Sequence, residues 1–503
     1  MNEHAASFRP AGPLSISTAL MPYAGPWDAR LAAHLLRRAG FGGTPADLRR
    51  YAAMRMQGAV DALVHFPAAD ALPASPELPD ESGVDGELMQ SLRQNGMPGQ
   101  GGNAAQPPAR DPQQVALVRE RRRIEIRGIA ATQLWWLDRM IATPAPLQEK
   151  MTLFWHGTYT TAAIQKNVTP REIVAQNNLF RRFALGNVRE LTQAVSLDAA
   201  MLKYLDNAHN DRSHPNENYA RELMELFTLG IGNYTEQDVR ESARAWTGIR
   251  VRPLTGEVWL NPRLHDDDSK TFLGRSGNFN GQDIVNLIYQ QPAAARFLAT
   301  KLLNFFVYND PEPELVEAVA ALVRKNDFNL QPVMSVLLSS NVFYSSRAYR
   351  ALVKSPVEFV VGSYQLFGIA GAEEQALPAL NRMGQVLFYP PNVKGWPGGS
   401  AWLNSTTVLA RENFANALMT SQNVMSASDW LLAGGPGDAD KAAHTLVDTI
   451  LQGDASAGSF ARLQGFLRGD GTAALGALSG ENFDQRMRGG AYLTMAMPAY
   501  QLA

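Results

Sequence analysis

The chain contains no cysteine. That absence excludes disulfides, thiolate zinc sites, iron–sulfur clusters and a cysteine nucleophile. It has no excess of either charge, since Lys and Arg total 46 against 48 Asp and Glu for a formal net charge of −2. Without a global positive field, neither nucleic acid nor an anionic bilayer is expected as a partner. Long apolar runs are missing as well. The most membrane-like stretch, Pro356 to Ala372, is interrupted by Glu358 and Gln365 and falls short of the roughly 20 apolar residues that span a bilayer, so no transmembrane segment is expected. The first residues carry Glu3 and prolines rather than the basic start and apolar run of a secretory signal, which makes a cytoplasmic location the expectation. Arg37-Arg38 is followed by polar and charged residues, so these arginines read as helix surface and not as a twin-arginine signal. No phosphate-loop, His-Glu-x-x-His or Gly-x-Ser-x-Gly pattern occurs, which removes the commonest nucleotide, zinc-protease and hydrolase signatures.

What is present is helical. With 503 residues and 45% hydrophobic content, the chain can bury a large core. Apolar residues recur at helical spacing through most of it. The pattern predicts a mainly α, multi-helix globular bundle with one short β-hairpin near 249–260, where β-branched residues flank a Leu254-Thr255-Gly256 turn. Five regions are expected: an N-terminal arm over 1–26, a helical hairpin over 27–66, a disordered or variable linker over 67–112, a main helical domain over 113–425, and a helical tail over 426–503 that packs on it. The linker assignment rests on its Pro, Gly, Asn and Gln content and its few large apolar groups, too few to offset the entropy of ordering.

Candidate chemistry concentrates in a few segments. Projected at about 100° per residue, the helix predicted over Asn216–Gly230 places Glu217, Asn218, Arg221, Glu222 and Glu225 in one arc and Tyr219, Leu223, Leu226 and Phe227 in the other. Three carboxylates beside a guanidinium could hold a divalent metal, or keep one carboxyl at raised pKa for acid–base work. The i,i+4 spacings of Glu217–Arg221 and Arg221–Glu225 are equally those of a solvated, ion-paired face. His156 ends a predicted helix, where it is a dipole partner, a core imidazole or a metal ligand. The loop His265-Asp266-Asp267-Asp268-Ser269-Lys270 gathers carboxylates, an imidazole and an amine. His156, His265 and Asp266 are therefore the metal candidates, provided they converge with Glu222 or Glu225. Pro390 to Gly399 alternates restricted and free backbone. Its Asn392 and Trp396, with Trp402 beyond, are ligand-binding candidates together with Asn218 and Lys270, the indoles suiting a sugar or another flat ligand.

The motifs Leu36-Arg37-Arg38-Ala39-Gly40-Phe41-Gly42, Phe154-Trp155-His156-Gly157, Asn216 to Leu226 and Pro390-Pro391-Asn392-Val393-Lys394-Gly395-Trp396 together resemble the bacterial family called domain of unknown function 1800. The likeness runs in order from about Trp27 to the end of the chain, with Pro67–Pro112 as a variable insertion. It implies a helical bacterial protein without an agreed active site. It also implies a partner from a sulfatase-like family, domain of unknown function 1501, and export of many relatives, which sets a periplasmic location against the cytoplasmic expectation. Three functions follow as expectations: a His/carboxylate metal-binding or acid–base protein, a noncatalytic scaffold for a partner protein, and a carbohydrate binder.

Overall fold

A computed structural model of the chain describes residues 15–66, 74–95, 111–163, 165–252, 255–371, 375–421, 439–469 and 481–503. The start of the predicted arm, parts of the insertion and the first part of the tail lie outside the described residues. Helices dominate, and their apolar faces join one continuous buried cluster that runs from Ala19 to Tyr500. The helices of the tail contribute to it through Leu446, Ile450, Leu463 and Met495. The predicted stretch Pro356–Ala372 is a helix over Pro356–Leu366 buried within this cluster, which accounts for its apolar character. Among the described residues no helix is long and apolar enough to cross a membrane.

One local device recurs. Thr44-Pro45, Thr169-Pro170 and Ser355-Pro356 each open a helix, with Asp47, Glu172 and Glu358 three residues after the hydroxyl. Proline sets the first helical φ, the hydroxyl accepts the third amide, and the acid accepts the amide of the capping residue. All three reciprocal caps are formed.

Several expectations change. The second arm of the helical hairpin expected over 27–66 is two helices, Pro45–Ala53 and Met56–Val64, broken at extended Met54 and Arg55. A helix over Ser82–Asn95 forms where composition predicts a linker. It lies along the long Pro112–Ala142 helix, held by an Asp85–Arg121 ion pair at 2.9 Å and by Gln114 reaching the carbonyl of Ser91. The hairpin at Ile249–Val251 and Val258–Leu260 is present, and a second one pairs Lys270–Phe272 with Arg275–Gly277 around Gly274. Arg37 and Arg38 are not helix surface. Both are buried, and Arg38 donates from Nε to the carbonyl of Phe306 at 3.0 Å and from Nη2 to that of Val307. These carbonyls close the Pro292–Phe306 helix and have no intrahelical donor, so a guanidinium can replace water there.

Two adjacent residues on the Pro146–Thr158 helix anchor the surrounding helices. Glu149, fully buried, accepts from Arg181 at 2.7 and 2.9 Å, from Arg139 at 3.1 Å and from the Trp136 indole at 3.0 Å. Lys150, also buried, donates to the carbonyls of Gly40 (2.8 Å) and Arg37 (3.3 Å) and pairs with Glu358. Burial pushes the Glu358 carboxyl upward, but Lys150 and the Ser355 cap outweigh it and hold the group below the usual carboxylate range. Its contribution to stability is thus fully present above the ordinary glutamate pKa and is lost as pH falls through the lowered folded value. Removing one member of a buried pair leaves the other charge uncompensated, at a cost of about 3–5 kcal/mol. Lys150→Met should lower unfolding stability by about that amount in urea at pH 7. The stability difference between wild type and Glu358→Gln should shrink as the medium is acidified below the carboxylate range. A Lys150→Met variant as stable as wild type would contradict this account.

Candidate functional site

The C-terminal half of the Pro146–Thr158 helix presents Leu153, Phe154, Gly157 and Thr158 to a concave cleft of about 470 Å3. Lys301, Asn304 and Phe305 of the Pro292–Phe306 helix line it from another side. Ser355 and Glu358 bring the start of the Pro356–Leu366 helix, and Gln385 stands beside them, its side-chain oxygen accepting from the amide of Val357 at 3.0 Å. The loop from Lys394 to Gly399, with Trp402, completes the wall. The volume falls in the range of small-molecule sites.

The loop is fixed by backbone contacts. Leu387 and Phe388 give their carbonyls to Gln133 (2.7 Å) and to the amide of Ala163 (2.8 Å), and Val393 gives its carbonyl to the Thr160 hydroxyl. Asn392 folds back on the loop, its side chain accepting from the amide of Lys394 at 2.9 Å. Gly395 has φ +86°, and a Cβ there would stand 2.8 Å from the carbonyl oxygen of Gly157. Only glycine meets both conditions. This close approach sets Trp396 against His156, ring centroids 5.4 Å apart.

His156 is a core imidazole. It is buried among Trp136, Phe180, Phe388 and Trp396, its Nε2 has no hydrogen-bond partner among the described residues, and burial pushes its pKa down to about 3. It therefore stays neutral. His265 is placed elsewhere, its Nδ1 2.8 Å from the carbonyl of Thr247. Asp266 there makes a bidentate pair with Arg244 at 2.8 and 3.1 Å. Lys270 is buried and donates to the carbonyls of Asp266 (2.6 Å) and Asp268 (2.9 Å). Asp266 and Lys270 thereby hold the loop's shape and tie it to the Glu236–Ala245 helix. Among the described residues no three His, Asp or Glu side chains stand together in a way that could hold a metal ion. The convergence that the sequence left open does not take place there.

The acidic helix divides in two. Glu217–Glu222 is α-helical, and Leu223–Thr228 is a turn of π-helix, marked by the Leu229 amide and the Thr228 hydroxyl reaching back five residues to Met224 and Leu223. Arg221 pairs with Glu217 at 3.1 Å and makes two 2.8 Å bonds to Glu236 of the next helix. The expected Arg221–Glu225 pair is not made, because the wider π-turn rotates Glu225 out of the i,i+4 register. Glu225 instead accepts from the Tyr234 hydroxyl at 3.1 Å. Glu222 is half-buried, and burial and then the neighbouring Glu225 raise its pKa against the opposing charges of Arg221 and Lys394. Lys394 thus acts on the acidic helix and also lines the cleft. Asn218 is exposed.

Sequence reasoning missed Lys301 and Asn304. Lys301 has no carboxylate within ion-pair distance among the described residues; its ammonium lies 5.0 Å from the Phe297 ring centroid, and burial lowers its pKa to about 8. Asn304 Oδ1 and Trp402 Nε1 are buried without hydrogen-bond partners among the described residues. A signal existed: positions 297, 298, 304 and 305, the helical neighbours of Lys301, are Phe, Leu, Asn and Phe, so no acid is available locally to pair with it.

A second concavity of about 490 Å3 lies beside Thr169 and Asp198. Its buried carboxylates are already engaged. Glu172 pairs with Lys203 at 2.7 Å, and Asp198 accepts from Gln176 at 2.6 Å and caps the next helix.

The family model described as "Protein of unknown function (DUF1800)" matches residues 34–502. No curated protein and no solved structure matches the chain.

The geometry of Gly395 is testable by itself. Gly395→Ala should lower the unfolding free energy by about 1–3 kcal/mol, the usual strain of a side chain held at positive φ. Gly465→Ala, in a helix with open space around the new methyl, should be neutral or mildly stabilising. Equal stability of the two variants would show that the loop does not need the close approach.

Proposed function

We propose that this chain, which belongs to the DUF1800 family over nearly its whole length, binds a small organic anion in the cleft between the Pro146–Thr158 and Pro292–Phe306 helices. The charge balance of the cleft carries the reading. Lys301 and Lys394 line it against one carboxylate, Glu358, which the buried Lys150 already neutralises. The surplus is positive and partly desolvated, which favours a carboxylate or phosphate ligand. Trp396 and Trp402 line the same cleft and offer flat apolar surface to the body of such a ligand, so a sugar acid satisfies both features. The unmatched Asn304 oxygen and Trp402 N–H supply an acceptor and a donor for its hydroxyl or carbonyl groups.

Calorimetry of the purified chain against glucuronate, galacturonate, pyruvate, citrate and glucose 6-phosphate tests this. At least one anion should bind, more weakly as salt is raised. Lys301→Ala should reduce that affinity about tenfold or more, the loss of one charge-assisted contact. Absence of binding across the panel, or unchanged affinity in Lys301→Ala/Lys394→Ala, would overturn the reading.

A further inference from the structure

Lysine is scarce in this chain, nine residues among the 46 basic ones. Lys150, Lys166, Lys203 and Lys270 each lie within 4.0 Å of a carboxylate. Lys301 does not, among the described residues. It stands on the Pro292–Phe306 helix, with Phe297 one turn before it and Phe305 one turn after it, and lines the cleft of about 470 Å3. Lys394 lines the same cleft from the opposite loop, and Glu358 is tied to Lys150.

We infer that Lys301 is a nucleophilic amine that condenses with the carbonyl carbon of an oxo acid held in the cleft. This deepens the organic-anion reading and rests on it: Lys394 meets the ligand's carboxylate while Lys301 meets its carbonyl. An amine desolvated without a counter-ion keeps a usable neutral fraction near neutral pH, the condition for attack on a carbonyl. In keeping with this, burial brings Lys301 down to about 8. The neutral Nζ forms a C–N bond as the C=O π pair moves to oxygen. A proton passes from nitrogen to oxygen to give a carbinolamine; its hydroxyl takes up a proton and leaves as water while the nitrogen pair closes C=N, and the nitrogen gives up its remaining proton in exchange. Amine and carbonyl thus become imine and water, without change of oxidation state, and water reverses the step.

Reductive trapping of the full chain tests it. Protein incubated with pyruvate or 2-oxoglutarate and sodium cyanoborohydride is digested, and adducts are mapped by mass across the nine lysines. Lys301 should carry the reduced adduct at about tenfold or more the occupancy of exposed Lys325, because the cleft holds the oxo acid beside a desolvated amine. Lactate, which has the anion without the carbonyl, should compete. Lys301→Arg should lose the adduct, whereas Lys325→Arg, outside the cleft, should keep both the adduct and anion binding by calorimetry. Adducts spread without preference over Lys325, Lys394 and Lys301 would overturn the inference. So would calorimetric binding of pyruvate with no adduct at Lys301, which would leave the anion-binding reading standing. Failure of every anion to bind would remove both.

Discussion

Lys150 keeps its ammonium inside the protein between two carbonyls, those of Arg37 and Gly40, and the carboxylate of Glu358. Buried charge of this kind persists only when every partner is in place, so the pair fixes three things together: the end of the Ala29–Ala39 helix, the start of the Pro356–Leu366 helix and the Pro146–Thr158 helix between them. One residue earlier, Glu149 does the same for Arg181, Arg139 and Trp136 on two further helices. The cleft opens on this framework. Its Phe154 and Gly157 lie further along the helix that carries Glu149 and Lys150, its Glu358 is the partner of Lys150, and its Lys301 helix ends on the guanidinium of Arg38. A cleft built this way is held in shape by the packing of its helices.

The same framework explains why separated motifs converge. Leu36 to Gly42 supplies the carbonyls and the arginine that hold two helix ends. Phe154 to Gly157 supplies the floor and the backbone oxygen that admits only glycine at position 395. Lys394 to Gly399 forms the wall and extends its charge to Glu222. The π-turn at Leu223–Thr228 follows directly on Glu222, whose carboxyl feels that charge, and such turns commonly sit at functional sites.

Helices were legible because periodicity and capping are local: the hydroxyl–proline pairs Thr44-Pro45, Thr169-Pro170 and Ser355-Pro356 stand at helix starts in the structure. The membership suggested by the four motifs is shown by the family match over residues 34–502. The site was legible only in part. Trp396 and Trp402 line the cleft, but the acidic arc assumed a uniform α-helix, and one π-turn broke its register between Arg221 and Glu225. His156 had three readings in the sequence, a dipole partner, a core imidazole or a metal ligand, and spacing alone does not reveal that its neighbours are Trp136, Phe180, Phe388 and Trp396. Lys301 escaped notice because its importance lies in what tertiary packing withholds from it, a counter-ion, and sequence spacing reports only neighbours along the same helix.

The central claim is that Lys301 is a desolvated, unpaired amine waiting in a cleft for an organic anion. Nuclear magnetic resonance of the reductively 13C-methylated protein measures this directly, with Lys301→Arg assigning its signal among the nine lysines. The account predicts that the Lys301 signal titrates near pH 8 and moves upward when a carboxylate ligand binds, because an anion favours the charged amine. A Lys301 signal that titrates with the exposed lysines and ignores every anion added would contradict it.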